Sequence, residues 1–190
     1  GSAELVGGDH FILDTEHPEK PGDDRRVGVS YPDLHKDVDV GDTLLLDDGL
    51  ISMQVQAVRG GQVHCLVENG GTLYDRKGLN LRGGGLSVAG LAAHDRPHIE
   101  LAARVGADFV AVSFVSDASD IEHARSLLRE AGSHAALVAK IERMEAIRNL
   151  PEICDVSDAI MVARGDLGVE IGFAEVPGVQ KRIIRVCRDM

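Results

Sequence analysis

The sequence is poor in aromatic residues and in cysteine. Phe, Trp and Tyr make up 3% of the 190 residues, and tryptophan is absent. The three cysteines, Cys65, Cys154 and Cys187, are too few and too widely spaced for a disulfide framework or a zinc site. We therefore expect a reduced, cytoplasmic setting, in which cysteines remain thiols.

Positive charge is also scarce, because 20 Lys and Arg stand against 31 Asp and Glu, for a formal net charge of −11. Proteins that bind nucleic acid or a membrane surface usually present a basic patch, so we expect neither kind of partner. No apolar run approaches the roughly 20 residues of a membrane-spanning helix. With 44% hydrophobic residues, the composition is typical of a globular protein.

The first part of the sequence, residues 1–85, consists of short apolar or alternating runs separated by glycine turns such as Asp48-Gly49 and Gly60-Gly61. Within residues 51–57, apolar side chains alternate with polar ones, the period of a strand with one buried face. Many short strands and no convincing helix predict a small all-β barrel.

The second part, residues 86–190, alternates apolar strands with amphipathic helices. The strands are predicted at 107–114, 135–141 and 159–163, and Asp117 or Ser119 is the predicted cap of the helix after the first. This order predicts an α/β fold built from parallel β/α units. A closed eight-stranded TIM-type (β/α) barrel needs about 250 residues. About three units form only part of one, so we expect the chain to be a slice of a larger fold.

Side chains suited to chemistry gather at the carboxyl ends of these strands, where β/α barrels place their active sites. In Lys140-Ile141-Glu142, the alternation of a strand points Lys140 and Glu142 to the same face. The ammonium suits a phosphoryl group and the carboxylate suits a metal ion. An ordinary salt bridge at a barrel mouth explains the same pair equally well.

Glycines bracket Asp166 after the third strand. Gly165 lets a ligand approach the backbone closely, and Asp166 offers the hard oxygen that Mg²⁺ prefers. The alternative is a β-to-α turn in which Asp166 caps a helix. Ser113 ends the first strand within reach of the same mouth, although a solvated turn serine is the commoner role.

Two further segments lie in the strand-rich half. Asp47-Asp48-Gly49 is predicted to be a hairpin turn and not a metal site. Arg76-Lys77-Gly78 is a compact basic pair in an acidic chain, and the residues alone predict a solvated loop there.

In their order and spacing, these segments resemble pyruvate kinase over nearly the whole chain. The segments that carry the resemblance are Asp47–Ser52, Glu68–Gly71, Lys77–Leu81, Ser113–Phe114, Lys140–Glu142 and Ile160–Ile171, the last of which is highly specific. Two positions depart from the family pattern. Arg143 replaces the usual Asn and Gly172 replaces the usual Pro, and neither change removes a ligand.

The resemblance implies a partial TIM-type (β/α) barrel carrying an inserted small all-β barrel domain. Residues 1–85 correspond to the mobile β-barrel lid, and residues 86–190 correspond to the fourth to sixth units of the β/α barrel. Family members act in glycolysis, where they transfer the phosphoryl group of phosphoenolpyruvate to ADP and form pyruvate and ATP. The resemblance also implies a cytoplasmic homo-oligomer, a tetramer.

Residue roles follow from the resemblance by position. Lys140 matches the catalytic lysine that steadies the phosphoryl group, while Glu142 and Asp166 match the carboxylates that hold Mg²⁺ or Mn²⁺. Gly165 and Asp166 match residues of the phosphoenolpyruvate site, to which we add Ser113 for its position at the same mouth.

Outside the barrel mouth, Lys77 matches a lid lysine that meets the nucleotide phosphates. The ligands of a monovalent cation such as K⁺, one substrate-binding arginine and the residue that protonates the enolate fall on strands outside this chain. We therefore expect the chain by itself to be inactive. Two other hypotheses remain open: a magnesium-dependent, pyruvate-using aldolase barrel, and a non-catalytic binding module or remnant.

Overall fold

The computed structural model describes residues 1–88, 90–91 and 95–190. The chain divides into two compact units, Gly1–Ser87 and Val88–Met190. The first unit is mostly β-structure and the second alternates strands with helices, so the fold is mixed α/β.

Unit 1 contains eight strands within its described residues and one short helix. The elements are β1 (Ser2–Leu5), β2 (His10–Asp14), β3 (Arg26–Gly28), α1 (Leu34–Asp37), β4 (Thr43–Leu46), β5 (Ile51–Arg59), β6 (Gln62–Asn69), β7 (Gly71–Tyr74) and β8 (Leu79–Leu81). Six strands form one sheet in the order β3-β2-β6-β5-β4-β8, and β1 pairs with β7. All these pairings are antiparallel except β2 with β3.

The strands of unit 1 form because their apolar side chains alternate and share one core. Phe11 and Leu13 of β2 pack with Met53 and Val55 of β5, and all four are at most 1% exposed. The predicted hairpin turn at Asp47-Asp48-Gly49 joins β4 to β5, and all three residues have positive φ. Aspartate and glycine are residues that adopt this conformation at low cost.

One feature of unit 1 differs from the sequence prediction, and another is left open. The helix α1 was not predicted, because four residues are too short for a helical period to show in the sequence. The hydrogen-bonded ladder of the six-stranded sheet runs from β3 to β8 within the described residues. Closure into a barrel stays a prediction.

Unit 2 contains three strands and six helices within its described residues. They are α2 (Arg96–Val105), β9 (Phe109–Val112), α3 (Ala118–Glu130), β10 (Ala136–Ile141), α4 (Met144–Arg148), α5 (Leu150–Val156), β11 (Ala159–Val162), α6 (Arg164–Ile171) and α7 (Val176–Asp189). The strands form one parallel sheet in the order β11-β10-β9, which confirms the predicted parallel β/α units.

Local sequence explains where α3, the helix that connects β9 to β10, begins and ends. The Asp117 side chain accepts a hydrogen bond from the Ser119 N–H and so caps α3, which makes Asp117 the cap of the two predicted candidates. The helix presents Ile121, Ala124 and Leu128 to the core. It ends just before Gly132, whose φ of 76° suits glycine.

The parallel register fixes where the candidate site lies. Val138 to Ile141 of β10 stand opposite Ala159 to Val162 of β11, and Ala136 to Ala139 stand opposite Phe109 to Val112 of β9. The three carboxyl ends therefore meet at one edge of the sheet. Across the part of the chain that the structure describes, we find no helix with the length and apolarity to span a bilayer.

Candidate functional site

Three predicted residues meet at the carboxyl edge of the sheet. Lys140 lies near the end of β10, and its Nζ is 2.5 Å from Oε1 of Glu142, the residue directly after that strand. The same Nζ donates a hydrogen bond to Ser113 Oγ at 2.9 Å, just beyond the end of β9. Strand alternation thus brings an ammonium, a carboxylate and a hydroxyl together, as expected from the sequence.

The Glu142 carboxylate is buried, with 1% of its side chain exposed. Its second oxygen, Oε2, accepts the Phe114 N–H at 2.6 Å. Phe114 has a φ of 54°, a left-handed conformation that phenylalanine rarely adopts. In this conformation its N–H points at the Glu142 carboxylate. A buried charge is costly unless it is paired and hydrogen-bonded, and both oxygens of Glu142 meet that requirement.

Arg143 is a buried cation at the same edge, and only 3% of the residue is exposed. Its Nη1 donates to the carbonyl of Val88 and to Ser116 Oγ, each at 2.9 Å. It therefore connects the residue after Glu142 to the loop between β9 and α3. In the sequence, Arg143 is notable only as a departure from a family pattern, and nothing in the sequence predicts that its side chain is buried.

Asp166 lies inside α6, in its first turn, and Ala163 is the residue that precedes the helix. The alternative in which Asp166 caps a helix is therefore wrong. The Asp166 carboxylate is half-buried and has no hydrogen-bond or ion-pair partner among the described residues. A carboxylate in a first helical turn is stabilised by the positive end of the helix dipole.

Gly165 precedes Asp166 and is exposed. A Cβ added to it would meet no atom within 4 Å, and its φ is not among the positive values of the described residues. Nothing in the surrounding fold requires glycine here. The open space beside its backbone leaves room for a ligand.

The segment that carries Asp166 is tied back to β10. Glu170, at the other end of α6, is buried, and its Oε2 accepts the Met144 N–H at 2.9 Å. The Ala163 N–H donates to the Ile141 carbonyl at 3.2 Å, which extends the β10–β11 pairing by one residue. These bonds fix both ends of α6 relative to the strand that ends in Lys140 and Glu142.

Lys77 lies in unit 1. Its Nζ is 2.8 Å from Asp47 Oδ1 and 5.9 Å from the centre of the Tyr74 ring. The hydrogen bond to Asp47 and the attraction of that carboxylate raise the pKa of Lys77. Within its own unit, Lys77 is therefore paired to the β4–β5 turn.

Unit 1 also holds one group of potential metal ligands that sequence reasoning did not single out. Ligand atoms of Asp14, Glu16 and His17 lie within 4.8 Å of one another. The Arg26 guanidinium already binds the same Asp14 carboxylate. A fixed cation at that carboxylate opposes a divalent metal ion, so this group fits a structural ion pair better than a metal site.

The residues at the sheet edge suit a hard divalent cation. Glu142 and Asp166 offer only carboxylate oxygens, the donor type that Mg²⁺ and Mn²⁺ prefer. Asp166 is unengaged among the described residues, and the Oε1 of Glu142 already attracts a cation, the Lys140 ammonium. The donor set therefore fits the metal expected from the sequence, and the sharing of one ion by both carboxylates stays a prediction.

Comparison with known proteins gives a consistent result. A family model described as pyruvate kinase, barrel domain, matches residues 1–190. The chain is 48% identical over 193 residues to the pyruvate kinase of Haemophilus influenzae, a match that covers 100% of this chain and 40% of that protein. It is 46% identical over 193 residues to pyruvate kinase II of Salmonella typhimurium, covering 100% of this chain and 40% of the relative.

A third relative is more distant. The pyruvate kinase of Geobacillus stearothermophilus is 43% identical over 190 residues, a match that covers 98% of this chain and 32% of that protein. The chain thus spans about 40% or less of the length of these curated relatives.

Proposed function

This chain belongs to the pyruvate kinase family, and on that premise we propose that it carries the phosphoryl-transfer centre of a pyruvate kinase. The reaction is transfer of the phosphoryl group from phosphoenolpyruvate to ADP, giving pyruvate and ATP in glycolysis. Family membership also disfavours the pyruvate-using aldolase considered from the sequence.

The observation that carries the proposal is the contact of Lys140 with both Glu142 and Ser113. Phosphoryl transfer depends on positioning and on neutralising charge more than on covalent help. An ammonium held at a strand end between a hydroxyl and a carboxylate is preorganised for that task. We assign Lys140 as the catalytic residue, which exchanges its contact with Glu142 for an oxygen of the transferred phosphoryl group.

Glu142 and Asp166 are the proposed ligands of Mg²⁺ or Mn²⁺, which when bound supplies positive charge to the phosphoryl oxygens. The proposal explains how a chain with net charge −11 handles anionic substrates, since its own carboxylates recruit the cation. Gly165, Asp166 and Ser113 complete the phosphoenolpyruvate site. The open backbone at Gly165 and the unengaged carboxylate of Asp166 support that role.

Lys77 is the proposed contact to the nucleotide phosphates of ADP and ATP. In the structure Asp47 neutralises it, so nucleotide binding requires the phosphates to compete with that carboxylate. By family analogy, K⁺ would bind through residues outside this chain, and the complete enzyme would be a cytoplasmic homo-oligomer, a tetramer.

We further propose that residues 1–85 are an inserted β-barrel lid and residues 86–190 a part of a TIM-type barrel. The outer strands of the three-stranded sheet support the second assignment. Phe109 of β9 is 66% exposed and Met161 of β11 is 46% exposed, whereas the inner strand β10 alternates buried and half-buried residues. Apolar side chains exposed on one sheet face are typical of a surface that packs against further structure, as the interior face of a closed barrel does.

A chimera tests the proposed function. This chain replaces the matching segment of the Haemophilus influenzae pyruvate kinase, and pyruvate formation from phosphoenolpyruvate and ADP is measured in a coupled assay. We expect turnover from the chimera and no turnover from the isolated chain. Lys140→Met should lower kcat by about 10²- to 10³-fold, the usual effect of removing one preorganised electrostatic contact. The exposed Lys181→Met is the matched control and should retain full activity.

Two outcomes would contradict the proposal. A chimera that folds, by circular dichroism, yet turns over no substrate would favour the non-catalytic remnant. Equal kcat for Lys140→Met and Lys181→Met would remove the role given to Lys140.

A further inference from the structure

Two cysteines from different helices meet in unit 2. Cys154 lies in α5 and Cys187 in α7, 33 residues apart, and their Sγ atoms are 3.6 Å from each other. Both side chains are half-buried, and both cysteines are free thiols. The two helices pack against each other, and both cysteines lie at the margin of the same apolar core.

We propose that Cys154 and Cys187 are a redox modification site, at which a small-molecule disulfide converts the thiol pair into an intramolecular disulfide. The proposal is independent of the phosphoryl-transfer function, since neither cysteine belongs to the candidate site.

The geometry favours the bond. A disulfide places its sulfur atoms about 2.05 Å apart, so the pair must approach by roughly 1.5 Å from the 3.6 Å of the structure. In the second step of thiol–disulfide exchange, the remaining thiol attacks the mixed disulfide. Because the two thiols are already in contact, the effective concentration of that remaining thiol is high. Cys65 offers a contrast within the same chain, because it is fully buried in unit 1 and has no cysteine beside it.

The surroundings of Cys154 disfavour its thiolate. Burial raises the pKa of the Cys154 thiol to about 12, and the adjacent Cys187 sulfur acts in the same direction. Only a thiolate attacks a disulfide, so Cys154 reacts slowly until it loses its proton.

The exchange balances in two steps. One thiolate of the pair attacks one sulfur of the small disulfide, forms a mixed disulfide and releases one small thiolate. The other thiol then gives up its proton to a thiolate or to solvent and attacks the protein sulfur of the mixed disulfide, which releases the second small thiol. Two protein thiols are oxidised, and one small disulfide is reduced to two thiols.

The bond would close a loop that contains β11 and α6, the segment that holds Gly165 and Asp166. Cross-linking restricts the unfolded chain more than the folded one, so the oxidised protein should unfold at a higher temperature.

The test uses oxidised glutathione on the whole chain at pH 8, with free thiols counted by Ellman titration of the denatured protein. We expect three thiols before treatment and one after it, because only Cys65 stays free. Peptide mapping without reduction should identify the Cys154–Cys187 link, and dithiothreitol should restore all three thiols. Cys65→Ala should form the same link.

Single-cysteine variants test the role of each thiol. Cys154→Ser should stop at a glutathione adduct on Cys187, and Cys187→Ser should stop at an adduct on Cys154, because neither variant has a second thiol to complete the exchange. Stable glutathione adducts on both cysteines of the wild type, dimers linked between chains, or unmodified thiols in a protein with native circular dichroism would each overturn the proposal.

Discussion

Single residues at the sheet edge show how charge is compensated in an acidic protein. Glu142 is buried at 1% exposure and is satisfied by one ammonium and one backbone N–H. Asp166 is half-buried and unengaged among the described residues. Glu142 is therefore fixed in place, whereas Asp166, within the part of the chain that the structure describes, has no partner to displace when it accepts a ligand.

Arg143 gives a prediction at this scale. Arg143→Leu keeps an apolar stem but removes the guanidinium from the Val88 carbonyl, the Ser116 hydroxyl and the Glu145 carboxylate. We expect the free energy of unfolding to fall by about 1–3 kcal/mol, the cost of leaving partly buried polar groups without their hydrogen-bond partner. Urea unfolding measures it. Arg148→Leu, on an exposed position of α4, is the control and should change stability by less than about 0.5 kcal/mol. Equal effects would contradict the anchoring role.

Part of the site follows from the sequence and part does not. Strand alternation predicts that Lys140 and Glu142 share a face, because the period of two is a local property of the backbone. Arg143 could not be predicted, since its partners Val88 and Ser116 come from distant segments. The Phe114 conformation could not be predicted from the sequence either, because no local preference places phenylalanine at positive φ.

At the scale of elements, one buried carboxylate joins the two parallel strands of unit 1. Asp14 ends β2, and its side chain binds the guanidinium of Arg26 in β3. Burial raises the pKa of the Asp14 carboxyl, but hydrogen bonds from Arg26, from the Glu16 N–H and from His17 outweigh it and lower that pKa to about 2. The folded state therefore favours the ionised carboxylate.

The pH dependence of stability follows from the sign of this shift. The stabilisation by Asp14 is complete above the unfolded pKa near 4 and is lost as the pH falls towards 2. We expect Asp14→Asn to unfold at a lower temperature than wild type at pH 6, and the difference to shrink between pH 4 and pH 2. Thermal unfolding followed by circular dichroism measures it. The exposed Asp24→Asn is the control, and a difference that stays constant with pH would contradict the linkage.

Elements with strong local patterns were predicted well. The Asp117 cap, the Gly132 stop and the Asp47-Asp48-Gly49 turn are all encoded within a few residues. The parallel pairing of β2 with β3 and the helical position of Asp166 were not predicted, since each depends on contacts between segments.

At the scale of the whole molecule, the chain is two compact units joined near a run of glycines. Gly83, Gly84 and Gly85 all have positive φ, and Arg82 and Ser87 beside them are exposed. We expect subtilisin to cut first between residues 82 and 88 and to leave two protease-resistant products. Mass spectrometry of a short digestion identifies the cut. First cleavage inside β5 or β6, which share the longest ladder of unit 1, would contradict the division.

The central claim is that Glu142 and Asp166 hold one divalent cation, and Mn²⁺ binding to this chain tests it most directly. Electron paramagnetic resonance reports free Mn²⁺ during a titration of wild type, Glu142→Gln, Asp166→Asn and Lys140→Met. We expect each carboxylate variant to raise the Kd by more than about tenfold, since even the loss of an outer-shell partner costs that much. Lys140→Met should not weaken binding, because its ammonium competes for Glu142 Oε1. Glu152→Gln, an exposed position on α5, should bind as wild type. Unchanged Mn²⁺ affinity in both Glu142→Gln and Asp166→Asn would contradict the account.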